Sequence, residues 1–309
     1  MVFLLHKFAK LENHHHHHDP PQSEELQASL QAFRSEVSKF IDQLALDLKP
    51  GSEILSLSWI EKCLELLSIT IKALANLAVD IDYPMSVWEV DSIEGYLSYS
   101  LCLLDLFNSI SSSFSRLEQA RLSLSHGLAL LEKNSPSSAT GHHLKAIQPG
   151  CFSTKFGEEF YTESDKARFF SGKEWVVHEA VKEIKSIGFW VCGVLLSGLC
   201  TDAKPYMELK KMAGEFDGSS ILTLDSKISE GEVKQNPILK EVKEVNDALA
   251  ELLVASDEVK HEATKELQTK LHVFEKLCDV VKAKVDDVFS KVMAQRTELI
   301  DCFQVRKQN

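Results

Sequence analysis

The sequence has no dense run of lysine and arginine, and its overall charge is acidic. It contains 46 aspartate and glutamate residues against 34 lysine and arginine residues, for a formal net charge of −12 at pH 7. The phosphate backbone of a nucleic acid would therefore meet net repulsion unless basic residues gathered in one patch. We expect no nucleic-acid partner.

The chain also has no recognisable secretory signal and no disulfide framework. Residues 1–11 lack a long apolar core and a small-residue cleavage site. The cysteines are odd in number, widely spaced and mostly set in apolar helical patterns, which is typical of reduced, structural thiols. They are Cys63, Cys102, Cys151, Cys192, Cys200, Cys278 and Cys302. We expect an intracellular protein that is not secreted and is either cytoplasmic or membrane-associated.

Motifs of catalysis and metal binding are missing as well. No glycine-rich phosphate loop and no nucleophile elbow occurs. The pairs His178–Glu179 and His261–Glu262 begin like a zinc-protease motif, but each lacks the histidine four residues after the first. His142, His143 and Cys151 lack a fourth ligand at useful spacing. We therefore predict no enzyme, no cofactor and no metal site.

A run of histidines, His14 to His18, lies in residues 1–22. It is either an expression tag or native low-complexity sequence. Identical ligands in a row have no preorganised geometry, so we interpret residues 1–22 as a flexible segment that binds metals only adventitiously.

Helical periodicity dominates what remains and predicts an all-α fold, an elongated bundle of long antiparallel helices with short additional helices. Residues 23–133 form an N-terminal region of three helices. The first runs from Ser23 to Lys49, and Pro50 and Gly51 end it. The second begins near Ser52 or Ser58, where Ser58 and Glu61 have capping-box spacing. The third is long and follows Ser86.

Glycines, prolines and serines punctuate residues 134–171, which we predict to be a long loop. Residues 172–309 form a C-terminal helical region that packs on the N-terminal helices, most simply as one domain. Its predicted elements are a helix from Ser171 to Cys200, a short helix over Pro205–Phe216, a loop over Gly218–Gly231, a helix from Asn236–Pro237 to Ala255, and a long final helix.

The final helix carries the most regular pattern in the chain. Apolar positions alternate steps of four and three, as in the seam of a bundle or coiled-coil helix. They are Leu267, Leu271, Phe274, Cys278, Val281, Val285, Val288, Val292, Gln295, Leu299 and Cys302. An intramolecular bundle and a dimeric coiled coil both fit. The bundle is favoured because upstream helices of similar length can pack against the seam.

One segment, Ser186–Thr201, carries no charge and is apolar on all sides. A membrane span needs about 20 such residues, so a buried core helix and membrane insertion are both open. Gly193 and Ser197, four residues apart, would let another helix approach closely. The candidate interaction or membrane residues are Gly188, Phe189, Trp190, Gly193, Leu195 and Leu196.

The turn between the second and third helices is a predicted structural corner. Pro84 sets the chain direction, Ser86 and Glu89 have capping-box spacing, and Trp88 supplies a large apolar anchor. A helical corner is the favoured interpretation, and a ligand site is the alternative.

Several motifs in the N-terminal region resemble the plant BYPASS family. They are Leu55-Ser56-Leu57-Ser58-Trp59, the turn from Asp80 to Glu89, Tyr96 to Leu101, Leu103 to Asn108, and the serine-rich tract Ser109 to Leu117. The strong part covers about residues 24 to 133. The apolar segment and the long final helix are similar more loosely. Family members usually have a longer, more helical stretch where this chain has residues 134–171.

The resemblance implies a role in plant development, namely restraining the production of a root-derived mobile signal that arrests shoot growth. It implies no catalytic residues, and it makes a plastid location conceivable because some relatives look plastid-targeted or membrane-associated. We expect a non-enzymatic regulator that acts through helix-mediated interactions with an unidentified protein partner. The alternatives are an enzyme of isoprenoid- or carotenoid-derived signal metabolism and a membrane-attached scaffold built on residues 186–201.

Overall fold

The computed structural model describes residues 24–47, 55–133, 142–148, 172–216, 219–229 and 237–308, and within them the fold is all-α, as predicted. The helices are α1 (Glu24–Asp47), α2 (Leu57–Asp80), α3 (Val90–Glu132), α4 (Gly172–Cys200), α5 (Lys204–Met212), α6 (Leu222–Ser229), α7 (Lys240–Val254) and α8 (Lys260–Gln308). Two short 3-10 turns, Met85–Val87 and Gly214–Phe216, lie between them. The histidine run lies outside the described residues.

The N-cap of helix α2 lies two residues before Ser58, the first residue of the predicted capping box. It is Ser56, whose hydroxyl accepts a hydrogen bond from the backbone amide of Trp59. The prediction of a Ser58–Glu61 box was therefore wrong, because the extended backbone that an N-cap needs occurs at Ser56.

Long helices run antiparallel at the centre of the bundle. The hydroxyl of Tyr96, near the start of α3, donates to Gln295 near the end of α8 at 2.7 Å. At the other end of the pair, Gln268 donates to Glu132 at 2.7 Å. Helix α8 also packs on α2 and α7, and α4 packs on α1, α2, α3 and α5.

The seam of α8 is buried inside its own chain. Most of its residues are buried, while Cys278, Gln295 and Cys302 are half-buried. Because these side chains already pack against α2, α3 and α7, the intramolecular interpretation is the correct one for the described residues.

Two predictions in the C-terminal region were wrong. The proposed loop Gly218–Gly231 contains helix α6, whose Leu224 and Ile228 are fully buried. Helix α7 starts at Lys240 after the extended residue Leu239, later than the expected start at Asn236–Pro237. In both places tertiary burial of apolar side chains outweighed local turn and cap signals.

Part of the predicted loop 134–171 lies within the described residues, namely 142–148, and it is not helical there. Ile147 is buried, and its backbone exchanges two hydrogen bonds with the side chain of Asn246 on α7, at 2.7 and 3.0 Å. Residues 134–141 and 149–171 lie outside the described residues. The core buries side chains from both predicted regions, 23–133 and 172–309, in one hydrophobic cluster.

Candidate functional site

Helix α4 carries the apolar segment and lies in the core. The six candidate residues Gly188, Phe189, Trp190, Gly193, Leu195 and Leu196 are all buried. Within the described part of the chain, α4 is the one helix long and apolar enough to cross a membrane, and 94% of its most apolar 18-residue window is buried inside the protein. The structure thus gathers these residues at one place, while their interaction role stays a prediction.

Small residues on α4 allow close packing, as predicted. A methyl group built at Gly193 would lie 3.1 Å from the backbone Cα of Tyr206 on α5, and the hydroxyl of Ser197 accepts a hydrogen bond from the Tyr206 amide at 3.2 Å. A methyl group at Gly188 would overlap the hydroxyl of Tyr99 on α3. Helices α5 and α3 therefore pack closely on α4 at two glycines, Gly193 and Gly188 respectively.

Aromatic rings line the contact between α4 and the N-terminal helices. Trp190 meets Trp59 of α2 edge-to-face with ring centroids 6.1 Å apart. Phe189 meets Tyr99 of α3 in the same manner at 5.8 Å. The hydroxyl of Tyr99 donates to the carbonyl of Ile184 at 3.0 Å. These contacts surround the middle of α4 with aromatic side chains from α2 and α3.

Thiols around α4 are buried and unreactive in character. Burial raises the pKa of Cys102 to about 12 and raises the pKa of Cys192 still further. Both therefore remain protonated at neutral pH, and a protonated thiol is a poor nucleophile and metal ligand. This agrees with the prediction of reduced, structural cysteines. Cys151 lies outside the described residues.

A buried polar cluster, which we call the Asp225 cluster, lies against the middle of α4. Asp225 on α6 is only 1% exposed. Its carboxylate accepts hydrogen bonds from the Trp190 indole at 3.1 Å and from the Tyr206 hydroxyl, and it forms an ion pair with Lys210 at 2.6 Å. Four residues of α4, α5 and α6 thus meet at one carboxylate.

Sequence reasoning missed the Asp225 cluster because it placed Asp225 in a loop. One signal could have revealed α6: Ile221, Leu224 and Ile228 follow helical spacing, and all three are buried. The partners of Asp225 come from helices separated in sequence, so no local motif predicts them.

The predicted corner has a different construction from the one expected. Ser86 lies within the 3-10 turn, and Glu89, the residue before α3, makes no side-chain capping bond. The predicted Ser86–Glu89 box was therefore wrong. Pro84 precedes the turn with extended backbone. Trp88 is fully buried as the anchor, and its indole donates to the carbonyl of Tyr83 at 3.1 Å.

The cap of α3 comes instead from α4. The buried carboxylate of Glu174 accepts hydrogen bonds from the hydroxyls of Tyr83, at 2.8 Å, and Ser92, and from the backbone amide of Glu89 at 3.4 Å. A negative charge at a helix N-terminus is favourable, and the free amides there need acceptors. The corner is thus fastened to α4 by one carboxylate.

Two more buried carboxylates act in the same manner. Glu183 of α4 accepts from the amide of Ser220, just before α6, at 2.7 Å. Glu241 of α7 accepts from the amide of Leu57, the first residue of α2, at 3.0 and 3.1 Å from its two oxygens. Burial raises the pKa of Glu241, and the hydrogen bonds from its own backbone amide and that of Leu57 partly offset this.

A surface cavity of about 200 Å³ lies between α3 and α8. Its floor is apolar, with Leu128 and Leu271, and its rim carries the ion pair of Arg121 with Glu275 at 2.9 Å. Because the guanidinium is already paired with a carboxylate, the cavity resembles an ordinary groove between packed helices.

The histidines discussed above do not gather into a metal site within the described residues, where no group of three metal-ligating side chains is found. Glu179 pairs with Arg34 of α1 at 2.9 Å. His143 packs edge-to-face on His126 with ring centroids 4.7 Å apart, and its Nδ1 shares a hydrogen bond with Ser123 at 3.1 Å.

Comparison with known proteins finds sequence similarity to plant proteins. The chain is 36% identical over 116 residues to "Protein BPS1, chloroplastic" of Arabidopsis thaliana, a match covering 38% of this chain and 33% of that protein. It is 30% identical over 196 residues to "UPF0496 protein 4" of Oryza sativa subsp. japonica, covering 56% of this chain and 42% of that protein. The protein of the same name from Oryza sativa subsp. indica is also 30% identical, over 197 residues. Over part of its length, the chain is therefore similar to plant BPS and UPF0496 proteins.

The matches span less than half the length of the curated relatives. No protein-family model matches the chain, and no solved structure matches it. Neither the BPS1 name nor the UPF0496 name states an enzymatic activity. The BYPASS resemblance stated from the motifs is thus confirmed by independent similarity.

Proposed function

We propose that this BPS-like chain is a non-enzymatic regulator of plant development that restrains production of a root-derived mobile signal which arrests shoot growth. The observation that carries the proposal is the 36% identity to the Arabidopsis BPS1 protein, together with the BYPASS-like motifs of the N-terminal region. Because that relative is named as a chloroplastic protein, a plastid is our first choice of compartment.

Helix-mediated binding is the mode of action that we favour. Helix α8 buries its seam within the chain, yet it exposes apolar side chains on other faces, with Val273, Val280 and Met293 each at least 40% exposed. Exposed apolar residues on a rigid 49-residue helix offer a surface on which a partner helix can dock.

Reciprocal grafting tests the role in signalling. Roots lacking this chain, grafted under wild-type shoots, should arrest the shoots, while the opposite graft should grow normally. Expressing the chain in the mutant roots should restore growth. If mutant roots leave wild-type shoots unaffected, the proposal of a root-derived signal fails.

Affinity capture from root tissue, with parallel localisation, tests the mode of action. The expected result is a defined protein partner whose capture is lost when Val273 and Val280 are both replaced by aspartate. Replacing the exposed Leu122 of α3 by aspartate is the matched control and should leave capture intact. Turnover of an isoprenoid- or carotenoid-derived substrate by the purified chain would instead support the enzyme alternative.

A membrane-attached scaffold is a second candidate, favoured by the length and composition of α4. Carbonate extraction of cell membranes separates it from the first. Release of the chain into the supernatant would count against the scaffold, whereas retention in the pellet would support it.

A further inference from the structure

One side of α4 is covered by a short layer that we call the cap. It consists of α5, the 3-10 turn Gly214–Phe216 and α6. Tyr206 of α5 lies over Gly193, and two further side chains of the cap, Phe216 and Leu224, are fully buried. The cap thus shields apolar surface that the long helices leave uncovered.

The Asp225 cluster holds the cap in position. Apolar contacts have little directional preference, but the carboxylate of Asp225 must meet the Trp190 indole of α4 and the ammonium of Lys210 of α5 at once. Removing one partner of a buried ion pair leaves the other charge uncompensated. Asp225 therefore determines where α5 and α6 sit on α4.

Backbone strain is concentrated at the joints of the cap. Thr201, which links α4 to α5, has φ 52°, and Glu215 and Phe216, between α5 and α6, have φ 59° and 63°. Residues with a Cβ disfavour this left-handed region, so tertiary contacts must hold them there. The buried hydroxyl of Thr201 has no hydrogen-bond partner among the described residues.

The helices of the cap have little stability of their own. Helices α5 and α6 contain nine and eight residues. Isolated helices of this length are not stable in water, so their order depends on docking to α4. Short, docked elements with strained joints are those expected to open before the rest of a fold.

We propose that the cap is a displaceable cover, kept closed by Asp225, and that its opening presents the side of α4 that it covers to a lipid bilayer. The uncharged stretch Ser186–Thr201 is preceded by Lys182 and Lys185, with Glu183 between them, and followed by Asp202 and Lys204. Lysines at both ends of an apolar helix can reach the anionic headgroups while the apolar side chains contact the acyl region. The cap supplies the contacts that the bilayer would replace.

Hydrogen–deuterium exchange of the full chain tests the opening. In Asp225→Asn, which keeps the shape of the side chain, amides of the cap helices, residues 204–212 and 222–229, should exchange about tenfold faster or more, as loss of a buried ion pair implies. Amides of residues 96–107 in α3 are the internal reference and should change far less. Equal acceleration of both segments, or of neither, overturns the proposal.

Two further variants extend the test: one should leave the exchange rate unchanged, and the other should lower it. Glu241→Gln alters a buried carboxylate outside the cap. Relative to residues 96–107, the amides of the cap helices, residues 204–212 and 222–229, should exchange at the same rate in this variant as in wild type. Glu215→Gly relieves left-handed strain at an exposed residue, so it should slow exchange of the cap helices, residues 204–212 and 222–229, in the Asp225→Asn background. Faster exchange in that double variant would contradict the role of strain.

Flotation with vesicles of phosphatidylcholine and phosphatidylglycerol tests the bilayer. Asp225→Asn should float with the vesicles in greater proportion than wild type, and Glu241→Gln should not. Accelerated exchange without flotation would overturn the bilayer as the surface that receives α4. This outcome would leave the proposed role in root signalling untouched, since the cap is argued independently of it.

Discussion

The carboxylate of Glu241 on α7 accepts the backbone amide of Leu57, the first residue of α2, at 3.0 and 3.1 Å. The two residues are 184 positions apart, yet one caps the helix that the other begins. Similar long-range caps by Glu174 and Glu183 fasten α3 and α6. In this bundle, buried carboxylates supply acceptors for helix ends that local sequence leaves open.

The raised pKa of Glu241 makes a prediction about pH. A carboxyl whose pKa is higher in the folded state binds protons more tightly when folded, so its contribution to the free energy of unfolding is present at low pH and is lost as pH rises through the folded value. As pH rises from 5 to 8, the free energy of unfolding of Glu241→Gln should therefore fall less than that of wild type. Melting temperatures measured across this range check the difference.

Glu118 provides the matched control for the pH experiment. Its hydrogen bond and ion pair with Lys282 lower the pKa of its carboxyl. Its contribution is therefore present above the unfolded pKa and is lost as pH falls. Glu118→Gln should leave the melting temperatures between pH 5 and pH 8 parallel to wild type. If Glu241→Gln and wild type were parallel as well, the effect of burial on Glu241 would be wrong.

The corner predicts an unequal effect of three substitutions. Trp88→Ala should lower the free energy of unfolding by about 3–5 kcal/mol, because the ring is fully buried. Glu174→Ala should cost about 1–3 kcal/mol, because it leaves the amide of Glu89 without its acceptor. Ser86→Ala should stay within about 0.5 kcal/mol, since Ser86 caps no helix. Chemical denaturation measures all three.

Growth assays with the same variants separate structure from binding at the corner. We expect growth control to fall only in step with stability. If Trp88→Ala kept wild-type stability and lost growth control, the corner would be a binding site.

A close contact predicts the effect of adding one methyl group to α4. Gly188→Ala should cost about 1–3 kcal/mol, because the new methyl would overlap the hydroxyl of Tyr99. Tyr99→Phe removes that oxygen, so the double variant should recover part of the loss. Thermal melting of both single variants and the double variant measures the coupling.

Gly95 is the control for the glycine substitution. It lies on the exposed face of α3, and a methyl group there would meet no atom within 4 Å. Gly95→Ala should stabilise the protein by about 0.5–1 kcal/mol, because alanine loses less backbone freedom in a helix. Equal destabilisation by both alanines would contradict the importance of the Tyr99 contact.

The intramolecular seam of α8 predicts different outcomes for two neighbouring faces. Leu271→Ala, at a residue 4% exposed, should cost about 2–5 kcal/mol. Val280→Ala, at a residue 44% exposed, should change stability by about 0.5 kcal/mol or less. Denaturation at two protein concentrations checks both values, and a loss at Leu271 that depended on concentration would indicate a seam between chains.

Helical periodicity alone was enough to predict the all-α fold, the long helices α3 and α8, and the buried seam from Leu267 to Cys302. The apolar stretch around Trp190 and the small residues Gly193 and Ser197 also predicted a closely packed helix. These features succeed because side chains three and four residues apart share one face of a helix, so the pattern is local. The BYPASS resemblance likewise rests on local motifs.

Only the tertiary structure decided which residues cap the helices and where the Asp225 cluster forms. Ser86 and Glu89 have the spacing of a capping box, yet Glu174 from α4 takes that role, and Asp225 was assigned to a loop. A hydrogen bond or ion pair between distant residues depends on how the helices pack, which periodicity along one helix does not specify. Burial then makes those partners necessary, because an unpaired polar group in the core is costly.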